Sequence, residues 1–352
     1  MEVGVRRLGS PKAGFRYVRP DGRPLAGPEL ERVRALRLPP AWRDVRVAPE
    51  RRAKLQAMGL DAAGRWQYRY HADHVQNQAD AKYRRLLRFA DALPRIRARV
   101  TLDLRRPGFP RERVLAGMVR ILDTCFMRPG SERYARQNRS YGLTTVRPRH
   151  VRFRGQRLTF EYRGKSGQRQ VRELEDAAVA RLVRGLLRVP GRDVFKFVGP
   201  NGEVVDVRRR HLNQYLREVG GGPFTAKDFR TWAGTLLCAS ELARSDVPPG
   251  TGRGRTKAAA AAVKTVASRL GNTPAVVRSS YVSPVVIEAF QEGNVLACSY
   301  ASQEIGVAVS RGMHRVEAAL VAFLAARSRV PSGRARPRTG VAASASGGID
   351  RG

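Results

Sequence analysis

Acidic side chains are scarce in this chain of 352 residues: 30 Asp and Glu stand against 67 Lys and Arg, a formal charge of +37 at pH 7. That imbalance excludes most ordinary metabolic enzymes. It attracts polyanions, with nucleic acid the first candidate and an anionic membrane surface the second. Cysteine is rarer still, and the three present, Cys125, Cys238 and Cys298, are far apart in the chain. An odd, scattered set excludes a disulfide framework and fits free thiols in a reducing compartment. No run of about 18 apolar residues is present to span a bilayer. The opening MEVGVRRLGS also lacks the apolar core of a signal peptide. The expected location is therefore the cytoplasm, with no membrane partner. There is no internal repeat. What is present is 42% hydrophobic residues, enough for globular cores, and a length that suggests two domains of about 100 to 200 residues each.

FRYVRP and GRPL flank a Pro-Asp-Gly turn and read as a hairpin. A helix signal at PELERVRALR and the proline-broken LPPAW follow. Trp66 to Tyr70 has strand composition, and apolar residues then recur at helical spacing through Tyr83, Leu86, Leu87 and Ala90. Pro94 opens a stretch carrying Arg95, Arg97, Arg99, Arg105 and Arg106 before Pro107 and Pro110. It reads as a linker or solvated loop, and the domain join is expected there. RERVLAGMVRILDTCFM is a clear amphipathic helix ending before Arg128, Pro129 and Gly130. Alternation in HVRFRG, RLTFEYR and QRQVREL marks three strands, the last two joined by a Gly164-Lys165-Ser166-Gly167 hairpin tip. Every later periodic segment reads as helix. VPPGTGRGRTK between two of them is expected to be a mobile basic loop, and the Ser, Gly, Pro and Arg composition from Ser328 onward predicts a disordered tail.

Two tempting motifs fail. Gly164-Lys165-Ser166 imitates the end of a phosphate-binding loop, but the glycine required five residues earlier is Thr159, so no nucleotide cofactor follows. His71 and His74 flank Asp73 with no nearby cysteine to complete a tetrahedral shell, so no metal is expected. Chemistry on a phosphodiester needs a nucleophile, fixed donors for the non-bridging oxygens and an acid for the leaving oxygen. Lys165 at a hairpin tip can reach a bound polymer, and Arg230 lies in the amphipathic AKDFRTWAGTLL beside Phe229 and Trp232. Against this, any single basic residue among 67 is more often a surface charge or a nonspecific phosphate contact. In LGNTPAVVRSSYVSPVV, Thr273-Pro274 and Ser283-Pro284 are two helix-start signals, so Tyr281 falls at a seam between short helices. A tyrosine there either presents its hydroxyl to a ligand or packs one helix on the next.

KDFRTWAGT and LGNTPAVVRSSYVSP, preceded in order by RPGSERYARQNRSYGLTTVRPRHV and RGKSG, resemble the small type IB DNA topoisomerases of the bacterial and poxvirus kind. The likeness includes GRWQYRYHADHVQNQADAKYRR and covers roughly residues 10 to 300. It implies relaxation of supercoiled duplex DNA through a 3′-phosphotyrosyl intermediate, with no ATP or obligatory metal and no other cofactor. By motif, Tyr281 matches the nucleophile, Arg128 and Arg230 the two arginines on phosphate oxygens, and Lys165 the acid for the leaving 5′ oxygen. Asn272 stands nine residues before Tyr281, where His is common in the family. An amide there can donate a hydrogen bond but cannot carry charge near neutral pH. Lys227, three residues before Arg230, stands where the related tyrosine recombinases usually have His, which favours a topoisomerase. Gln67, Tyr68 and Tyr70 match the region that contacts DNA in the major groove, and Tyr134 matches a residue near the backbone.

The expected architecture is α+β: a small mixed β/α N-terminal DNA-binding domain, residues 1–92, and a mainly helical catalytic domain with a three-stranded sheet, residues 93–327, followed by a tail, 328–352. Together the domains would form a clamp around duplex DNA, acting as a monomer associated with the nucleoid. A tyrosine recombinase or integrase, and a non-catalytic architectural protein that only coats or bends DNA, are the competing readings.

Overall fold

Short alternating segments, in which apolar residues take turns with arginine, build the first sheet. In the computed structural model, which describes residues 4–245, 252–299 and 312–328, β1 (Val5–Ser10), β2 (Gly14–Val18), β3 (Arg43–Val47), β4 (Leu55–Leu60) and β5 (Trp66–Tyr70) form one antiparallel sheet in the order β2-β1-β3-β4-β5. Helix α1 (Gly27–Ala35) starts with proline in its first turn and buries Val33. Val33 joins Val5, Tyr17, Leu25, Trp42, Val45 and Val47 in a core of its own. Gly59 of β4 has no room for a side chain, since an added Cβ would lie 2.9 Å from the Trp42 ring. The hairpin expected between FRYVRP and GRPL is reduced to one bridge, Val18 with Pro24, because proline has no N–H with which to extend the ladder. The hairpin actually formed lies upstream, β1 with β2.

The described residues divide into two compact units, one ending at Lys82 and the other beginning at Tyr83. The division lies ten residues before the join expected from the sequence, inside α2 (Ala72–Asp103). The basic stretch after Pro94 is helix as far as Asp103, a correction to the linker reading. Burial explains it: Phe89, Leu93, Ile96 and Val100 are core residues. Arg97 is also buried, paired with Asp123 at 2.7 Å and Glu317 at 2.6 Å. Arg99 and Arg106 both pair with Asp103, which also accepts from the Tyr215 hydroxyl. Tertiary packing overrides the local cost of proline here.

In the second unit α3 (Arg111–Cys125) and α4 (Glu132–Asn138) precede a three-stranded antiparallel sheet, β6 (Val151–Arg154), β7 (Arg157–Arg163) and β8 (Arg169–Glu175), in the order β6-β7-β8. Helix α5 (Ala177–Leu186) follows, with Asp176 capping the Ala178 and Val179 amides. A small hairpin, β9 (Lys196–Val198) with β10 (Val204–Asp206), corrects the expectation that only helices remain. Its strands are three residues long, too short for alternation to register. Then come α6 (Arg209–Gly220), α7 (Ala226–Ala243), α8 (Gly252–Leu270), α9 (Pro274–Val276), a π turn (Val277–Tyr281), α10 (Pro284–Gln291) and α11 (Arg315–Ser328). Helix α7 is apolar nearly all round and is correspondingly buried, packed by α3, α8, α10, α11 and the π turn. Of the expected mobile loop, Gly252 to Lys257 is helix. Val247 to Thr251 and the tail beyond Ser328 lie outside the described residues. Among the described residues, no helix is long and apolar enough to cross a membrane.

Candidate active site

The end of α8 gathers the site. Gly271 takes the left-handed conformation that closes the helix. This leaves the last carbonyls without helical partners, at the negative end of the helix dipole. Two arginines fill the role. Arg230 Nη2 donates to Leu270 O at 2.9 Å and to Asn272 Oδ1 at 2.5 Å, and Nη1 donates to Phe126 O. Arg128 Nη2 donates to Gly271 O at 2.6 Å. Arg230 is 2% exposed, yet its Nε has no hydrogen-bond partner among the described residues. Neither arginine is paired with a carboxylate among those residues.

Local structure explains these positions. Helix α3 ends where Phe126 adopts a left-handed cap (φ 54°), which turns its carbonyl toward Arg230. The Arg128 carbonyl accepts from Leu143 N at 2.8 Å, and Gly142 lies so close to Gly130 that a Cβ would sit 2.6 Å from its backbone. Helix α7 starts on a capping box, with Asp228 accepting from the Thr225 amide at 2.7 Å and held by Arg85 at 2.6 Å. Arg230 is therefore one turn inside a fixed helix start.

Tyr281 closes the π turn, a helical irregularity often found at functional sites. The Arg230 guanidinium stands 5.0 Å from its ring centroid. Burial pushes the phenol's pKa up, but the charges of Arg230, Arg128 and Lys227, with a hydrogen bond from Arg230, outweigh it and leave the pKa below its ordinary 10. Burial, then the adjacent Arg230, brings the Arg128 pKa down to about 10. Lys227 is exposed. Thr235 Oγ1 donates to the Tyr281 carbonyl at 3.2 Å and accepts from Ser283 N at 3.1 Å. Gly234 lets this backbone approach, since a Cβ there would lie 2.7 Å from Tyr281 O.

Arg128, Arg230, Asn272 and Tyr281 are thus brought together. Lys165 stands apart, exposed at the β7–β8 tip without a hydrogen bond or ion pair among the described residues. Gly164 N donates to Gln168 O at 2.7 Å and closes that tip. Tyr134 on α4 is 58% exposed. Gln67, Tyr68 and Tyr70 belong to the first unit, on its edge strand β5. Gln67 is buried and donates to Asp61 Oδ2 at 2.9 Å. Tyr68 and Tyr70 are half-buried with ring centroids 6.3 Å apart, and Tyr70 lies 5.2 Å from the His74 ring. No group of three His, Cys, Asp or Glu among the described residues is placed to hold a metal. Gly234, Thr235 and Gly271 were missed in the sequence. A glycine inside the otherwise apolar α7, four residues after Arg230, was the available signal.

Two guanidiniums anchored on carbonyls at the end of α8 stand beside a phenol, in a chain of charge +37. The catalytic core of eukaryotic DNA topoisomerase I matches residues 72–302, and the N-terminal domain of bacterial DNA topoisomerase IB matches residues 14–61. DNA topoisomerase 1B of Acanthamoeba polyphaga mimivirus is 34% identical over 270 residues, 75% of this chain and 80% of that protein. DNA topoisomerase 1B of vaccinia virus (strain Copenhagen) is 22% identical over 278 residues, 76% of this chain and 84% of its own. The chain belongs to the type IB DNA topoisomerases, and its activity is that of an isomerase acting on duplex DNA.

Proposed function

We propose that the chain relaxes supercoiled DNA by cutting one strand through Tyr281 and resealing it. The Tyr281 oxygen attacks a backbone phosphorus as its proton passes to solvent. A tyrosyl–phosphorus bond forms and the bond to the 5′ oxygen breaks, leaving a 3′-phosphotyrosyl link. Lys165, on a flexible stem at its hairpin tip, protonates the departing 5′ oxygen. Arg128 and Arg230 donate to the non-bridging oxygens, where negative charge grows, and Asn272 orients Arg230 and adds a neutral donor. The free 5′ end swivels, and reversal of the steps reseals the strand. Side chains supply the charge on the phosphate oxygens and the proton for the leaving 5′ oxygen, and the reading calls for neither ATP nor a metal.

The observation that carries this reading is Arg230, nine-tenths and more buried, over the Tyr281 ring with its Nε unpartnered among the described residues. A buried unpaired donor is costly to keep unless a ligand completes it. The charge of +37 and the aromatic edge strand β5 support a monomeric clamp in which both units hold duplex DNA, with Tyr68, Tyr70 and Tyr134 against the backbone and Gln67 near the bases. The setting would be the cytoplasmic nucleoid. The test is relaxation of a negatively supercoiled plasmid in EDTA without ATP. Wild type should relax it and Tyr281→Phe should not. Relaxation that needs added metal or ATP, or that survives in Tyr281→Phe, would overturn the proposal.

A further inference from the structure

A third arginine shares the centre of the second unit. The alternation of β8 puts Gln170, Arg172 and Leu174 on its inner face, while Glu173 and Glu175 point outward. Arg172 Nη2 donates to Gln170 Oε1 at 2.8 Å and Nη1 to Val171 O at 3.0 Å. Its Nε is buried without a partner among the described residues, and no carboxylate there pairs with it. Gln170 is 5% exposed and packs directly against Gly271, where a Cβ would overlap its amide. Gly271 O is the acceptor of Arg128. Arg172, Gln170, Gly271 and Arg128 are therefore successive neighbours, and the charges of Arg172 and Arg128 are within electrostatic reach of each other and of Arg230. Burial first, then Arg230, holds the Arg172 pKa below its ordinary value.

A half-buried guanidinium with a buried, unpartnered Nε and no anion costs stability, and an apolar residue of similar size would normally serve the strand better. The groups around Tyr281 include one neutral amide, Asn272, and the positive charge there rests on Arg230, Arg128 and Lys227. We propose that Arg172, held in place by Gln170, is a third arginine of the phosphate site, offsetting through its field the charge that grows on the phosphoryl oxygens during attack. It acts at short range through a poorly screened interior, without touching the substrate or relaying a proton. The inference rests on the reading of Tyr281 and Arg230 given above.

The test compares wild type, Arg172→Gln and Arg172→Lys in single-turnover cleavage of a duplex oligonucleotide, with DNA affinity measured in the Tyr281→Phe background. Arg172→Gln should cleave about tenfold or more slowly, with affinity within about threefold and an unchanged melting temperature. Arg172→Lys should recover most of the rate, because it restores charge but not shape. Replacing one non-bridging oxygen of the scissile phosphate with methyl should shrink the Arg172→Gln penalty. Cleavage by Arg172→Gln within twofold of wild type, or equal impairment of Gln and Lys variants, would overturn this inference alone. Absence of cleavage by wild type would overturn the Tyr281 reading and this inference with it.

Discussion

Gly234→Ala tests whether the site depends on the approach of Tyr281 to α7. In an exposed helix this change would stabilise by roughly 0.5–1 kcal/mol, because glycine is the poorer helix former. Here the new methyl would lie 2.7 Å from Tyr281 O and 2.9 Å from Tyr281 Cβ. Carbon contacts are optimal near 3.5–4.0 Å, so the Tyr281 backbone must retreat by about 0.5–1 Å, since α7 is fixed by packing on several sides. Overpacking typically costs about 1–3 kcal/mol, so the net effect on stability is small, about 0–2 kcal/mol. The effect on chemistry is larger, since a misplacement of about 1 Å can cost about a hundredfold. Single-turnover cleavage should fall by about ten- to a hundredfold, with DNA affinity retained and only a modest change in melting temperature. Cleavage within twofold of wild type would refute the argument that Gly234 sets the position of Tyr281.

Three further outcomes are expected. Because nearby cations hold the Tyr281 phenol below 10, its deprotonated fraction at a given pH is raised, and the single-turnover cleavage rate should climb and level off at lower pH than free tyrosine would allow. Lys227→Ala removes one of those cations and should move that limb upward, so an unmoved limb would count against the electrostatic account. Glu317→Gln weakens the buried network of Arg97, Asp123 and Trp232, at a cost of about 3 kcal/mol and a melting temperature lower by roughly 6–12 °C; a change under about 2 °C would contradict it. Affinity for duplex DNA should fall on the order of a thousandfold between low and moderate salt, as counterion release by several phosphate contacts requires, and a flat titration would remove the electrostatic basis of binding.

Motifs and long periodic segments were readable because they are local. RSSYVSP, KDFRTW and the Thr273-Pro274 cap announce Tyr281, Arg230 and the helix start, and α3, α5, α6 and α7 follow their apolar spacing. Arg97 was misread because its partners Asp123 and Glu317 are 26 and 220 residues away, and a basic run looks solvated until such carboxylates fold onto it. Arg172 and Gln170 were hidden for the same reason: their meaning depends on Gly271, a contact that no local pattern encodes. Strands β1, β3, β4, β9 and β10 were missed, β9 and β10 because three residues give too little alternation to detect.

The most direct test of the central claim is to trap the protein on a nicked or suicide duplex, denature it and sequence the DNA-linked peptide. The account predicts a covalent adduct at the 3′ end of the cut strand, with the phosphate on Tyr281 and none formed by Tyr281→Phe. An adduct on another residue, a link to the 5′ end, or strand cleavage with no protein attached would contradict it.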